Sequence, residues 1–219
     1  MAIDPLDEVR RGYDAVADEY ARRISGELDQ KPFDRALLDR YAVRLAGRGP
    51  VWDLGCGPGH VARYLHERGV SVAGMDLSSE LLRWAERLNP GLPFHQGDFR
   101  RLPADHDAWA GIVAFYSIIH LPPGEVLPTL KEWHRVLRPG GVLFVAVHLG
   151  SELRHVEDWW GRRVNIDFRF FQTDELETAL EAAGYAVEEV VEREPYPGVE
   201  TQTRRAYVLA TKPPAGGAA

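Results

Sequence analysis

Cysteine and long apolar runs are scarce in this chain of 219 residues. Its single cysteine, Cys56, excludes an internal disulfide and therefore a secreted fold framed by disulfides. The longest apolar run, residues 141–147, is far too short to cross a bilayer. The first eight residues lack the charged and then apolar pattern of a secretion signal. We therefore expect a cytoplasmic protein with no membrane partner.

Positive charge is in deficit. Lys and Arg number 26 against 33 Asp and Glu, which gives a net charge of −7. Proteins that bind nucleic acid usually carry the opposite sign, so no nucleic-acid partner is expected. The 45% of hydrophobic residues excludes a wholly disordered chain, and the length predicts one domain with its own core. A monomer and a homodimer both stay open.

A glycine-rich loop, residues 53–59, follows the first predicted strand. Ligands of open parallel sheets bind beyond the carboxyl ends of the strands, and Gly55 and Gly57 permit a close backbone approach there. A dinucleotide loop needs a third glycine where this chain has His60, and Asp53 would repel a pyrophosphate. Asp53 suits a cationic cofactor, so an NAD-dependent oxidoreductase is the less favoured alternative.

Two more carboxylates follow predicted strands. Asp76 ends the second strand, where a carboxylate can accept hydrogen bonds from two ribose hydroxyls. Gly97, Asp98 and Phe99 follow the third strand and offer a carboxylate for an adenine amino group with an aromatic ring beside it. These residues favour a cofactor that contains adenosine.

In this order the motifs resemble the class I S-adenosylmethionine-dependent methyltransferases, of the small-molecule type that includes ubiquinone and menaquinone methyltransferases. The resemblance extends over residues 9–147 and includes three further segments, residues 13–20, 115–121 and 137–141. It implies a Rossmann-like α/β three-layer sandwich with a seven-stranded, mostly parallel sheet of order 3-2-1-4-5-7-6, in which strand 7 is antiparallel.

The resemblance also implies a division of the chain and a set of site residues. We expect a single domain composed of an N-terminal helical cap (1–50), a cofactor-binding half (51–147), an irregular acceptor-side insertion (148–171) and the C-terminal half of the sheet (172–219). The cofactor is S-adenosyl-L-methionine, released as S-adenosyl-L-homocysteine. The residues expected to bind it are Tyr20, Asp53, Leu54, Gly55, Cys56, Gly57, Asp76, Leu77, Gly97, Asp98, Phe99 and Phe115.

The expected reaction transfers the methyl group to an oxygen or nitrogen nucleophile of a small molecule, in secondary or cofactor metabolism. His120 and His148 follow the fourth and fifth strands, and each is either a general base or a packing residue. Lys31 either approaches the cofactor carboxylate or the acceptor, or it faces solvent. Glu200, Arg204 and Arg205 either reach a polar acceptor from the sheet edge or face solvent.

The insertion contributes aromatic and potential metal-binding side chains. Trp159, Trp160, Phe168, Phe170 and Phe171 either form a wall of the acceptor pocket or close the core. The i, i+4, i+7 spacing of its residues 148, 152 and 155 could collect a metal only on a helix, and no metal site is expected.

Two other functions stay open. Five Arg-Arg pairs would suit a methyltransferase that acts on RNA or protein, although the pairs are scattered along the chain. A protein that binds S-adenosylmethionine without catalysis is the other alternative.

Overall fold

The computed structural model describes residues 4–214. Pro5 begins the first helix, where its missing N–H costs nothing, and Oδ1 of Asp4 caps that helix by accepting from the amide of Leu6. The helices are α1 (Pro5–Ile24), α2 (Pro32–Leu45), α3 (His60–His66), α4 (Ser79–Leu88), α5 (Pro123–Val136) and α6 (Thr173–Ala182), with short 3-10 turns at Glu27–Gln30 and Ile118–His120. The strands are β1 (Val51–Leu54), β2 (Val72–Asp76), β3 (Phe94–Gln96), β4 (Trp109–Phe115), β5 (Leu137–His148), β6 (Leu153–Trp159), β7 (Arg162–Arg169), β8 (Ala186–Arg193) and β9 (Arg205–Thr211).

The central sheet has seven strands in the order β3-β2-β1-β4-β5-β9-β8. The pairs from β3 to β5 are parallel, whereas β9 runs antiparallel to both β5 and β8. Counted along the chain within this sheet, the order is 3-2-1-4-5-7-6 with the seventh strand antiparallel. The predicted fold and strand order are therefore confirmed.

Both faces of the sheet are covered by helices. Along β4, Ile112 and Ala114 belong to one core cluster, whereas Val113 and Phe115 belong to the other. This alternation follows from the two-residue period of a strand, and it explains why the buried strands are apolar throughout.

The two N-terminal helices have different positions. α2 packs on the sheet, where its Tyr41 and Leu45 share a core cluster with Val113. α1 instead contacts α4 and β7 and therefore lies across the end of the sheet where β1, β2 and β4 terminate. Only α1 is thus placed to cover a ligand at that edge.

The segment 148–171 is a β-hairpin, so the expectation of an irregular structure was wrong. β6 and β7 pair antiparallel in a separate two-stranded sheet. In β7, Val164 and Ile166 are buried and alternate with exposed Asn165 and Asp167. This period of two was present in the sequence, and the buried face packs against α1.

Within residues 4–214, no helix has the length and apolar character that crossing a membrane would require.

Candidate active site

The glycine loop follows β1 as predicted. Its backbone amides at Gly55 and Cys56 both donate to the carbonyl of Met75, at 2.8 and 3.0 Å, which ties the loop to the end of β2. Gly55 and Gly57 have φ values of +75° and +53°. A Cβ on Gly55 would lie 2.4 Å from Cβ of Ser117, so any side chain here would clash. The absence of a side chain at Gly55 therefore allows the loop to pack closely against Ser117 at the edge of the sheet.

Asp76 faces this loop from the end of β2. Its Oδ2 accepts from the amide of Gly57 at 2.8 Å, and its Oδ1 accepts from the amide of Ser78 at 2.9 Å. Burial raises the pKa of Asp76 to about 6, an effect that these amides oppose and the nearby charge of Asp14 increases. A carboxylate fixed by two amides retains lone pairs that can accept from hydroxyl groups of a ligand.

Two adjoining cavities open at this edge. The first, which we call the strand-end cavity, has a volume of about 60 Å³, and the second, the hairpin cavity, has about 490 Å³. The strand-end cavity is lined by Gly55, Gly57, Asp76, Leu77, Phe99, Phe115, Ser117 and His120, among others. The hairpin cavity is lined by Tyr20, Glu27, Lys31, Cys56, His60, His148, Trp159, Trp160, Phe168, Glu200 and Arg205, among others. They share Tyr13, Tyr20, Gly55, Gly57, Phe115 and Tyr116, so they meet above the glycine loop.

Asp53 lies beneath the glycine loop and lines neither cavity. Its side chain is almost fully buried, and Oδ2 accepts from the amide of Ala62 at 3.1 Å, in the first turn of α3. Burial raises the pKa of this carboxyl to about 8. The structure thus gives Asp53 a partner within the protein, and the direct contact predicted with a cationic ligand stays a prediction.

Asp98 is also paired within the protein. Arg100 contacts both of its carboxylate oxygens, with Nη2 2.8 Å from Oδ2 and Nε 3.1 Å from Oδ1, and the same Nη2 lies 2.6 Å from Oδ2 of Asp4. Gly97 precedes it and donates its amide to the carbonyl of Asp76. Phe99 is buried and lines the strand-end cavity, where its ring meets Trp133 edge to face.

Cys56 lines the hairpin cavity but is buried, and burial raises the pKa of its thiol well above the usual range. A neutral thiol is a poor nucleophile, so the side chain packs beside the loop. Leu54, also in the expected binding set, is fully buried in the core below it.

His120 lies between two parts of the structure. Its Nδ1 is 2.9 Å from the carbonyl oxygen of Asp167 on β7, and its Nε2 is 2.9 Å from the hydroxyl of Tyr13 on α1. Because a carbonyl only accepts, Nδ1 carries the proton and Nε2 accepts from Tyr13. Burial lowers the pKa of His120 to about 4. The imidazole is therefore neutral near pH 7 and has a defined tautomer.

His148 occupies the far side of the hairpin cavity. Its ring stacks on Tyr116 with centroids 4.7 Å apart, and its Nδ1 is 2.8 Å from Oγ1 of Thr203. Burial lowers the pKa of His148 to about 3, and the charges of Arg205 and Lys31 add to this effect. Both predicted histidines thus reach the cavities, in neutral form.

A buried charge network that the sequence analysis only partly anticipated forms one wall of the hairpin cavity. Lys31 lies 2.7 Å from Glu27 and 3.2 Å from Glu200, and Arg205 lies 3.1 Å from Glu200. Arg193 extends the network to Glu200 and Asp34. Burial would raise the pKa of Glu200, but Arg193 and its other partners lower it to about 2. Three cations and three carboxylates therefore compensate one another.

The opposite wall is aromatic. The Trp159 ring meets Tyr13, Tyr20 and Phe168 edge to face, with centroids 5.4 to 5.8 Å apart. Phe170 and Phe171 are buried, and neither is among the residues that line the hairpin cavity. The five aromatic residues of the hairpin segment therefore divide between the pocket wall and the core.

No metal site is found among residues 4–214. Positions 148, 152 and 155 lie on or beside strands, so the helical spacing that could have gathered them does not apply. His155 instead pairs with Asp167 across the hairpin, at 2.8 Å.

The residues present fit an adenosyl cofactor. Gly55 and Gly57 line the same cavity as Asp76, and the buried Oγ of Ser117, which also lines it, has no hydrogen-bond partner among residues 4–214. A carboxylate, an apolar side chain and an aromatic ring line one small cavity, as expected for a nucleoside.

Comparison with known proteins identifies the family. A family profile described as "Methyltransferase domain" matches residues 20–190. The malonyl-[acyl-carrier protein] O-methyltransferase of Salmonella typhimurium is 30% identical over 148 residues, which cover 67% of this chain and 58% of that protein. The demethylmenaquinone methyltransferase of Chlorobaculum parvum is 29% identical over 96 residues, or 43% of this chain and 39% of that protein. This chain thus spans less than two thirds of the length of either relative.

The fold is also similar to that of solved methyltransferases. The crystal structure of an S-adenosylmethionine-dependent methyltransferase from Methanosarcina mazei superposes with a TM-score of 0.71 at 20% identity, and the match covers 80% of this chain and 97% of that one. These matches favour the methyltransferase interpretation over the oxidoreductase alternative. The chain belongs to the class I S-adenosylmethionine-dependent methyltransferase family, and S-adenosylmethionine is its cofactor.

Proposed function

We propose that this protein transfers a methyl group from S-adenosylmethionine to an oxygen or nitrogen nucleophile of a small molecule, in cofactor or secondary metabolism. The observation that carries this proposal is the meeting of the two cavities above Gly55 and Gly57. One cavity has the side chains expected of a nucleoside site but, at about 60 Å³, must widen to admit a nucleoside. The other, at about 490 Å³, lies within the range of metabolite pockets, which span about 300 to 1,000 Å³.

The adenosine part is assigned to the strand-end cavity. Asp76 would accept from the ribose hydroxyls, and Leu77 and Phe99 would contact the adenine. Asp98 would accept from the adenine amino group by sharing its carboxylate with Arg100, or after Arg100 has moved away. When bound, S-adenosylmethionine supplies an activated methyl group on a sulfonium ion, and the products are the methylated acceptor and S-adenosylhomocysteine.

The aromatic side chains at the junction suit a positively charged donor. The rings of Tyr13, Tyr20 and Trp159 enclose the space where the cavities meet. Aromatic faces attract cations, and they exclude water from the path of the methyl group. We therefore place the reacting atoms between these rings and the glycine loop.

His120 is the proposed proton acceptor. Its Nε2 lone pair faces Tyr13, so a proton leaving the acceptor would pass to the Tyr13 hydroxyl as that hydroxyl donates its own proton to His120. A pKa near 4 makes His120 a weak base. However, a hydroxyl becomes a strongly acidic oxonium once its new bond to carbon has formed, so a weak base is sufficient for an oxygen acceptor. A neutral amine acceptor can leave as the methylated ammonium ion and needs no base. His148 is the second candidate, for an acceptor bound deeper in the hairpin cavity.

The relatives agree with a small acceptor. One is named for an oxygen of a malonyl group carried on acyl-carrier protein, and another for demethylmenaquinone. The mixed character of the hairpin cavity, with one charged and one aromatic wall, suits an acceptor that has a polar end and an apolar body.

A labelling screen tests this proposal. The protein is incubated with metabolite extracts and S-adenosylmethionine labelled in its methyl group, and labelled products are identified by mass spectrometry. Asp76→Asn should abolish labelling at limiting cofactor, and Trp159→Ala should reduce labelling while the variant still binds S-adenosylhomocysteine. Cofactor binding without label transfer to any small molecule, or label appearing in RNA or protein alone, would overturn it.

A further inference from the structure

A buried ion pair lies beside the glycine loop, outside the motifs that identify the family. Nζ of Lys31 lies 2.7 Å from Oε2 of Glu27, and Lys31 is only 3% exposed. Both side chains line the hairpin cavity together with Gly57, Pro58 and His60. Their distance from the loop in sequence hides this proximity, because they belong to the 3-10 turn after α1 and the residue that ends it.

Glu27 carries a charge although its side chain is only 17% exposed. Burial would raise the pKa of Glu27, but the hydrogen bonds and charges of His60 and Lys31 bring it down to about 2. Oε1 lies 3.1 Å from Nε2 of His60, and the negative charge of Glu27 acts on Tyr20, whose ring lies against Gly57. A permanent carboxylate therefore lies next to the glycine loop.

The amino-acid end of the cofactor requires such a group. That end carries an α-ammonium and an α-carboxylate on one carbon, so it needs an anion and a cation a short distance apart. Asp53, the carboxylate that the motif suggests for the ammonium, is buried under the loop and bound to the amide of Ala62. The strand-end cavity already accounts for the nucleoside, so the amino acid must extend over Gly57 toward the hairpin cavity.

We propose that Glu27 and Lys31 bind the amino-acid end of S-adenosylmethionine, Glu27 through the α-ammonium and Lys31 through the α-carboxylate. The ligand would exchange one ion pair within the protein for two between protein and ligand. The net charge of the cavity wall does not change in this exchange, because the amino-acid end is itself neutral overall. Both protein charges are already desolvated, so that part of the cost of burying ions does not recur on binding. Lys31 would also retain its ion pair with Glu200, in which Nζ lies 3.2 Å from Oε2.

Three ligands that differ only in the amino-acid end test the proposal by calorimetry. S-adenosylhomocysteine has the complete end, its decarboxylated analogue lacks only the α-carboxylate, and methylthioadenosine lacks the whole end. Glu27→Gln should lower the affinity for S-adenosylhomocysteine and for the decarboxylated analogue by tenfold to hundredfold. Lys31→Met should weaken the binding of S-adenosylhomocysteine by a similar factor. The affinities for the other two ligands should stay within twofold of the wild-type values.

Methylthioadenosine serves as the control for folding, because both variants should bind it within twofold of the wild type. Glu8→Gln is the matched control variant, since Glu8 forms an exposed pair with Arg11 on α1, outside both cavities. Equal weakening of all three ligands would show that the pair only maintains the structure, and unchanged binding of all three would show that it does not meet the cofactor. Either result overturns the proposal.

The inference rests on the proposed function, which places adenosine in the strand-end cavity. Different results would contradict the inference and the proposed function. If the wild type bound none of the three ligands, the proposed cofactor site itself would be wrong. If Asp53→Asn weakened S-adenosylhomocysteine while Glu27→Gln did not, the ammonium would belong to Asp53, and the proposed function would be unaffected.

Discussion

The two cavities at the edge of the sheet are constructed in different ways. The strand-end cavity takes its key groups from residues that directly follow β1, β2 and β4, and backbone amides hold them in place. The hairpin cavity takes its walls from α1, the first 3-10 turn, the β6–β7 hairpin and the segment before β9. Side chains far apart in sequence, such as Lys31 and Glu200, hold it together. The strand-end cavity therefore depends on local geometry at the sheet edge, with α1 lining its other side, whereas the hairpin cavity depends mainly on long-range packing.

This difference indicates how each cavity can change. Amide groups are present whatever the side chain, so the strand-end cavity depends on a few glycines and one carboxylate. The hairpin cavity depends on rings and charges that substitution alters directly. A family that keeps one cofactor and takes many acceptors is expected to vary the second cavity and preserve the first.

The largest effect should follow Gly55→Ala, which tests whether the strand-end cavity depends on backbone space. The new Cβ would lie 2.4 Å from Cβ of Ser117, at a φ of +75°. We expect affinity for S-adenosylhomocysteine to fall more than hundredfold in calorimetry. Gly91→Ala is the control, because Gly91 also has a positive φ but nothing lies within 4 Å of its Cβ position. If both variants lost affinity equally, the loss would come from backbone strain alone and not from the contact with Ser117.

Asp76→Asn should have the second largest effect, again on affinity for the cofactor. Loss of a charged hydrogen bond to the ribose costs about 1.5–3 kcal/mol, or roughly tenfold to hundredfold in affinity. With a pKa near 6, Asp76 is charged above that pH. Wild-type affinity should therefore fall as the pH drops through 6, whereas the variant should show no such step. A step of the same size in both proteins would assign the titration to another group.

His120→Gln tests the link between the two cavities. We expect the rate of methyl transfer to the acceptor identified by labelling to fall by about tenfold to hundredfold. This loss is at or below the lower end of the roughly 10²- to 10⁴-fold that a general base contributes, because His120 is a weak base. Affinity for S-adenosylhomocysteine should stay within twofold. Since the pKa of His120 is about 4, the wild-type rate should be flat from pH 8 to 5, provided that circular dichroism shows a folded protein. A rate that halves near pH 6.5 would contradict this assignment.

Asp53→Asn should give the smallest effect, and on stability alone. The folded-state pKa of Asp53, about 8, exceeds the unfolded value of about 3.9, so the folded state holds its proton more tightly. The resulting stabilisation is complete below pH 4 and is lost as the pH rises toward 8. Because the asparagine in the variant cannot ionise, the variant should be more stable than the wild type at pH 8, by about 1 kcal/mol in the free energy of unfolding. Its melting temperature should therefore be higher by about 2–4 °C. The difference should shrink by pH 5; a difference that is the same at both pH values would contradict this origin.

The sequence predicted the fold and the strand-end cavity because their signals are local. Glycines and aspartates at the ends of apolar strands identify the sheet edge, whereas the strand order that the structure has was implied by the family resemblance. Gly55, Asp76 and Phe99 accordingly line the cavity where they were expected. No long-range information was needed for these assignments.

The remaining assignments depended on partners that are distant in sequence. Arg205 is buried because Glu200 and backbone carbonyls surround it, and a position at the start of a strand does not reveal this. Asp98 faces Arg100, a neighbour whose conformation the sequence leaves open. The hairpin itself was detectable in the alternation of Val164, Ile166 and Phe168 with polar residues.

The contact between the ring of His120 and the main chain of Asp167 has a consequence for natural variation in length. Ile166 pairs with Val156, and Phe168 pairs with Arg154, so the hairpin has a defined register. Adding or deleting one residue in β7 would turn its buried face to solvent unless a bulge absorbed the change, as the register shift between Val156 and Asp158 does in this hairpin, whereas a change of two would preserve the face. We therefore expect insertions and deletions in this arm to occur in even numbers among descendants that retain activity, each extending or shortening the acceptor side by one pair of residues.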